Sequence, residues 1–137
     1  MLSIEYIAGF FDADGSVGLY KRGGSWQVNI CIANSGIEGE KICKELQQRY
    51  KGAIVYCTKA KKVTHRDVFW WKINGTSLVK QFLLEIKDHL IIKKEQAILC
   101  LEFIDKWKNL IKRHKRTPEE HAEILVLSNK IKMLKHT

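Results

Sequence analysis

Proline is almost missing from this chain of 137 residues; Pro118 is the single one. Before it, no ring-imposed break interrupts a helix or a paired strand. Uninterrupted apolar stretches run for only a few residues, far short of the roughly 20 that a membrane-crossing helix needs. The N-terminal Met-Leu-Ser-Ile-Glu has neither the basic start nor the long apolar run of a signal peptide. The expected setting is therefore intracellular (cytoplasm, nucleoid or an organelle matrix) and not secreted. Cys31, Cys43, Cys57 and Cys100 include no Cys-x-x-Cys pair, and no histidine is spaced to complete a zinc site, so reduced and mostly packed thiols are expected. Acid is also in short supply: 15 acidic residues face 24 basic ones, a net charge of +9. Such an excess asks for a polyanionic partner. No helix has the single basic face of a membrane-surface segment, which leaves nucleic acid as the expected partner.

What is present reads as one folded domain over 1–137, with a core over about 3–111 and a last helix over about 118–136. Ser3 is a plausible N-cap, and Ile4, Ile7, Ala8 and Phe11 follow at helical spacing. Asp14-Gly15 should stop that helix, with Gly15 as a left-handed terminator. Two strands surround the turn Lys21-Arg22-Gly23-Gly24. In the second, Trp26, Val28, Ile30 and Ile32 alternate with Ser25, Gln27, Asn29 and Cys31, the pattern of a half-buried antiparallel strand. Ser35 and Glu38 form a capping-box signature for a second helix carrying Ile42, Cys43, Leu46 and Tyr50. Ala53–Lys59 and Arg66–Ile73 read as a second hairpin. Thr76 should cap a third helix, Lys93–Ile111 reads as a fourth, and Thr117-Pro118-Glu119-Glu120 starts a fifth. The order α-ββ-α-ββ-α-α-α predicts an α+β fold: a four-stranded antiparallel, saddle-like sheet, helices on one face, extra C-terminal helices.

The segment Ile7-Ala8-Gly9-Phe10-Phe11-Asp12-Ala13-Asp14-Gly15 is physically odd. A glycine inside a short helix costs about 1 kcal/mol against alanine, which close approach of another helix would repay. Asp12 and Asp14 sit at the helix C-terminus, where the macrodipole disfavours negative charge unless a cation is near. An isolated Asp-x-Asp-Gly would be read as a plain helix stop. The whole segment, however, resembles the LAGLIDADG motif of homing endonucleases, matching at six of nine positions with apolar replacements elsewhere. The order of helices and hairpins is similar to that family over about Ser3 to Ile111.

The resemblance implies a site-specific double-stranded DNA endonuclease. Its cofactor would be Mg²⁺, with Mn²⁺ able to replace it and Ca²⁺ supporting binding without cleavage. With one motif and no internal repeat, it implies a homodimer packed through Ile4, Ala8, Gly9 and Asp12. That arrangement brings the two Asp14 carboxylates together, and like charges so close call for a cation between them. Asp14 matches the family's metal-binding acid, and the Ala13 carbonyl the neighbouring ligand. Asn34 matches a polar residue at the end of the second strand that positions water, though it also precedes Ser35 and could serve only in a cap. Lys93 matches a basic residue before the fourth helix that acts on the attacking water or the phosphate. An arginine that some members carry just inside the second helix is Glu38 here, with Lys41 nearby. Asp12 faces away from Asp14 and reads as structural.

The polar sheet face then becomes a major-groove reader. Its members are Ser16, Gly18, Tyr20 and Arg22, then Ser25, Gln27, Asn29 and Cys31, and from the second hairpin Val55, Cys57, Lys59, Arg66, Val68, Trp70 and Lys72. Glutamine and asparagine suit adenine edges, arginine and lysine suit guanine, and valine and tryptophan suit thymine methyls. Lys21, Lys61 and Lys62 at the turns suit phosphates. A nine-residue strand spans roughly 30 Å, or about 9 bp, so two copies would read a long, near-palindromic site. Lys106, Lys108, Lys112, Arg113, Lys115 and Arg116 add a basic run that is as readily a solvated face. Two other functions fit the same fold: an intron-RNA maturase, and a DNA-binding protein that has lost cleavage.

Overall fold

In the computed structural model, which describes residues 2–108 and 116–135, the first helix begins where Ser3 predicts it. Helix α1 covers Ile4–Asp14, and the Ser3 hydroxyl accepts the Tyr6 N–H at 3.1 Å. Its end differs from expectation. Gly15 has φ −85° and is extended, the first residue of strand β1 (Gly15–Arg22), not a left-handed terminator. The glycine answers a close approach instead: a Cβ there would lie 2.1 Å from the Phe11 ring.

Strand β2 (Ser25–Ser35) returns antiparallel to β1, with Val17 opposite Ile30 and Tyr20 opposite Gln27. Trp26, Val28, Ile30 and Ile32 are buried and their neighbours half-exposed, as the alternation predicts. Helix α2 (Gly36–Arg49) follows, but the Ser35 side chain makes no capping bond. The chain turns through Gly36 at φ +76° while Ser35 is still paired with Val68 in the sheet. The Ser35 N–H is taken by Asn34 Oδ1 at 2.7 Å and the Gly36 N–H by the Asp67 carbonyl at 3.0 Å. Extended backbone does not itself prevent capping, since Ser3 and Thr117 cap from it; here the left-handed Gly36 stands between Ser35 and the regular turns of α2.

Strands β3 (Ile54–Thr58) and β4 (Val68–Ile73) complete a sheet ordered β1-β2-β4-β3. β4 begins two residues later than expected, leaving Arg66 in the preceding turn, where Asp67 accepts the Ala60 N–H at 2.8 Å. The register of β3 corrects a second expectation. Val55 lies opposite Trp71 and Cys57 opposite Phe69, while Ile54, Tyr56 and Thr58 lie opposite Lys72, Trp70 and Val68. Directly paired residues share a face. Val55 and Cys57 therefore belong to the helix side, and Ile54, Tyr56 and Thr58 to the open side. All five β3 residues are exposed at the sheet edge, so burial did not mark the register in the sequence; the partner strand sets it.

Helix α3 (Thr76–Ile86) has Gly75, not Thr76, at its N-cap position. Helix α4 (Lys94–Phe103) widens into a π-helical turn over Ile104–Lys108, and its expected end near Ile111 lies outside the described residues. Helix α5 (Pro118–Leu134) has the full capping box: the Glu120 N–H meets Thr117 Oγ1 at 3.2 Å and the Thr117 N–H meets Glu120 Oε1 at 2.9 Å. It lies along the β1 edge, where Ser128 donates to the Leu19 carbonyl at 2.7 Å and Trp26 Nε1 donates to His121 Nδ1 at 3.1 Å. One sheet edge is thus covered and the β3 edge is bare. Beneath the helices, the Phe82 ring meets Phe11, Tyr50 and Trp71 at centroid distances of 5.4, 5.1 and 5.2 Å, joining α1, α2, α3 and β4 in one aromatic node. Cys43 and Cys100 are buried, Cys31 is half-buried and Cys57 is exposed.

Candidate active site and nucleic-acid interface

Among the described residues the sheet's other face is open except around Tyr20, where the end of α5 reaches over it. Across β1 and β2 that face pairs Ser16 with Cys31, Gly18 with Asn29, Tyr20 with Gln27 and Arg22 with Ser25. It continues through Lys72 opposite Cys31, Trp70 opposite Ala33 and Val68 opposite Ser35. Lys21, Lys61, Lys62 and Arg66 are exposed at the turns. Lys59 is held by Asp67 at 3.2 Å, which ties one turn lysine down; the same ion pair holds the Asp67 carboxyl below the usual range, after the larger effect of the Ala60 N–H.

At the end of α1 the two acids have opposite fates. Asp12 is buried, and its carboxylate accepts the Ile91 N–H at 2.6 Å and the Lys93 N–H at 2.9 Å. Those two amides lie at the entrance to α4, where the helix dipole is positive. Lys93 Nζ in turn donates to the Asp12 backbone carbonyl. The unfavourable field at the α1 terminus is answered twice: by the positive end of α4 for Asp12, and by the Lys93 ammonium for the terminal carbonyls.

Asp14 is exposed, with no ion-pair partner among the described residues, and the Asn34 amide reaches its Oδ2 at 3.5 Å. Asn34 accepts the Ser35 N–H through its amide oxygen and faces Asp14 through its amide nitrogen. Asp14, Asn34 and Lys93 converge on the end of α1, beside a cleft lined by Gly15, Ser16, Ile92, Lys93, Gln96 and Lys135. A cation fits this donor set in kind. Asp14 offers an unpaired hard oxygen, and Ala13 lies in the last helical turn, whose carbonyls lack intrahelical partners. The fit is incomplete in number: no cluster of three metal-ligating side chains exists among the described residues. Among the described residues, one exposed carboxylate and the last-turn carbonyls lie at this end of α1, which do not by themselves fill a cation's coordination shell.

No protein-family model matches this sequence, and no curated protein matches it. Solved structures match it closely in shape. The homing endonuclease I-CvuI, in complex with its DNA target, superposes over 96% of this chain and 80% of its own, with a TM-score of 0.73 at 22% identity. The archaeal intron-encoded homing endonuclease I-Vdi141I, complexed with DNA, covers 96% and 82%, with a TM-score of 0.71 at 15% identity. The chain has the LAGLIDADG homing-endonuclease fold. The LAGLIDADG meganuclease I-AabMI, bound to uncleaved DNA, matches over 93% of this chain but only 44% of its own length, at 13% identity and a TM-score of 0.69.

Set within the LAGLIDADG fold, three expectations about individual residues change. Ala8 and Asp12 are buried inside the chain and Ile4 packs against its core, so of the four proposed interface residues only Gly9 faces outward. The spacing of 4, 8 and 12 marks the inner stripe of α1, which also carries Ile7 and Phe11. The outer stripe is Tyr6, Gly9, Phe10 and Ala13, with the Tyr6 and Phe10 rings stacked at 6.3 Å. Tyr20 is not a free reader: its hydroxyl contacts Lys135 Nζ at 2.9 Å, and Lys132 Nζ stands 5.9 Å from its ring centroid. Gly18 is required beneath it, since a Cβ would lie 2.4 Å from that hydroxyl. Finally, beside Glu38, where some members of the family carry an arginine, a cation does reach the start of α2: Arg66, from the loop before β4, lies against Gly36. Lys112, Arg113 and Lys115 lie outside the described residues. Lys106 is paired with Glu123, and the half-buried Lys108 reaches Ser25 Oγ at 3.5 Å, so neither is a free surface charge. Lys132 and Lys135 were not singled out in the sequence, because nothing local ties the end of α5 to β1.

The two acids should separate in stability measurements on metal-free protein. Asp12→Asn presents an N–H donor where two amides need an acceptor, and should cost about 2–3 kcal/mol. Asp14→Asn removes an exposed charge from the unfavourable end of α1 and should be neutral or slightly stabilising. Urea unfolding midpoints decide this; equal losses would mean that the Asp12 contacts do not hold the α4 entrance.

Proposed function

We propose that the chain is a homodimeric, site-specific double-stranded DNA endonuclease that uses Mg²⁺. The observation that carries this reading is the convergence of exposed Asp14, Asn34 and Lys93 at the end of the glycine-bearing helix, next to an open, basic sheet face. Homing endonucleases of the same fold seen in DNA complexes support the choice of DNA as partner. The net charge of +9 supports tight, salt-sensitive association with a polyanion.

In this reading the outer stripe of α1 packs on its twofold mate, and two copies bring their Asp14 carboxylates together across the scissile phosphates. Asp14 and the Ala13 carbonyl would hold the cation, which when bound supplies Lewis-acid activation of the phosphodiester and of the attacking water. Asn34 orients the Asp14 carboxylate. Lys93, anchored through Asp12, holds positive charge where the pentacovalent phosphate becomes more negative. The open sheet face fixes the register on the duplex. The two half-sites follow the symmetry of the dimer, so the target is near-palindromic.

Asp14→Asn separates binding from chemistry. In a cleavage assay with Mg²⁺ it should lose at least about three orders of magnitude in rate, the scale of one essential electrostatic group. In a gel shift with EDTA it should bind DNA as tightly as the wild type, or slightly tighter, because two repulsive charges have left the centre. Retained cutting would remove Asp14 from the mechanism; wild-type protein that binds but never cuts would favour the non-cleaving reading.

Gly9→Leu tests the dimer. Nothing lies within 4 Å of a Cβ at Gly9, so the chain itself has room for leucine, and a leucine gains helix propensity. The variant should fold normally yet sediment as a monomer and fail to cut. A cleavage-competent monomer in the ultracentrifuge would contradict the interface.

A further inference from the structure

The β3–β4 half of the open face has a chemistry unlike the β1–β2 half. Gln27 and Asn29 dominate one; Ile54, Tyr56, Val68 and Trp70 dominate the other. The Tyr56 and Trp70 rings stack in parallel, 5.7 Å between centroids and 5° between planes. Trp70 spends its single donor on Thr58 Oγ1 at 3.0 Å, so the indole presents carbon outward. Ile54 is 51% exposed and Tyr56 41%. No described element covers this patch, and apolar side chains exposed together at a sheet edge need a reason.

Resting on the DNA-cleaving function proposed above, we propose that this patch reads thymine methyl groups in the major groove, in the part of each half-site nearest the cut. Thymine alone among the bases carries an apolar group on that edge. Lys72 shares the patch's face, and exposed Lys61 and Lys62 lie at the adjoining turn, so the carbon surface sits in a positive field that matches duplex DNA. The position follows from the register: Trp70 lies opposite Ala33, next to Asn34, which faces Asp14. Gln27 lies six residues back along β2, roughly 20 Å further from the carboxylate at strand rise. The glutamine and asparagine read hydrogen-bonding edges in the outer half-site; the aromatic pair reads methyls in the inner one.

The test is selection of a randomised duplex library on the wild-type protein in EDTA, followed by remaking the enriched sequence with deoxyuridine in place of thymidine, which removes only the methyl. Uracil at inner positions should weaken binding roughly three- to five-fold per methyl, and uracil at outer positions should have no effect. Tyr56→Ser and Trp70→Ala should erase the inner penalty while keeping the outer consensus. An enriched sequence without inner thymines, or a uracil penalty that persists in both variants, overturns the methyl reading alone. No enriched sequence at all would overturn the DNA-recognition function as well.

Discussion

The arrangement at the end of α1 depends on one carboxylate. Asp12 collects two amides from a segment some 80 residues away and so pins the entrance of α4 against the end of α1. That contact places Lys93 on the terminal carbonyls, which offsets the negative end of the helix dipole. Freed of any structural duty, Asp14 is left exposed and unpaired two residues on. Because a helix turns about 100° per residue, acids two apart face nearly opposite ways. The same sequence spacing thus yields one buried clamp and one open ligand.

A similar division of labour runs through α1 itself. Its inner stripe, with Phe11 against Phe82, ties the helix into the aromatic node; on the other side Tyr6, Gly9 and Ala13 are exposed, flanked by the partly buried Phe10. A helix built this way has stability on one side and an available surface on the other. The sheet repeats the pattern: a buried face of Trp26, Val28, Ile30 and Ile32 fixes the register, and the register then dictates which side chains the open face displays.

Much of this was legible in the sequence where periodicity was strong. The helix at Ser3, the alternation of β2 and the capping box at Thr117 all stand where the residues put them, and the three residues that the motif names, Asp14, Asn34 and Lys93, lie together at the end of α1. What was illegible has physical causes. β3 lies at an edge with every residue exposed, so no burial contrast set its phase, and Tyr56, not Val55 or Cys57, falls on the open face. The partners of Asp12 and the lysines over Tyr20 are tertiary, arriving from far along the chain. Ile4, Ala8 and Asp12 fall on the inner face because a glycine-bearing helix has two candidate faces, and the stripe with the most regular spacing is the one that the protein's own core requires.

The central claim is that Asp14 is the metal ligand of a centre completed only when a second copy and DNA are present. The most direct measurement is anomalous diffraction from crystals of the protein–DNA complex grown with Mn²⁺. Peaks against the Asp14 carboxylates of both copies, beside the scissile phosphates at the twofold axis, are the expected result. A well-ordered complex whose manganese peaks all lie away from Asp14 would contradict it.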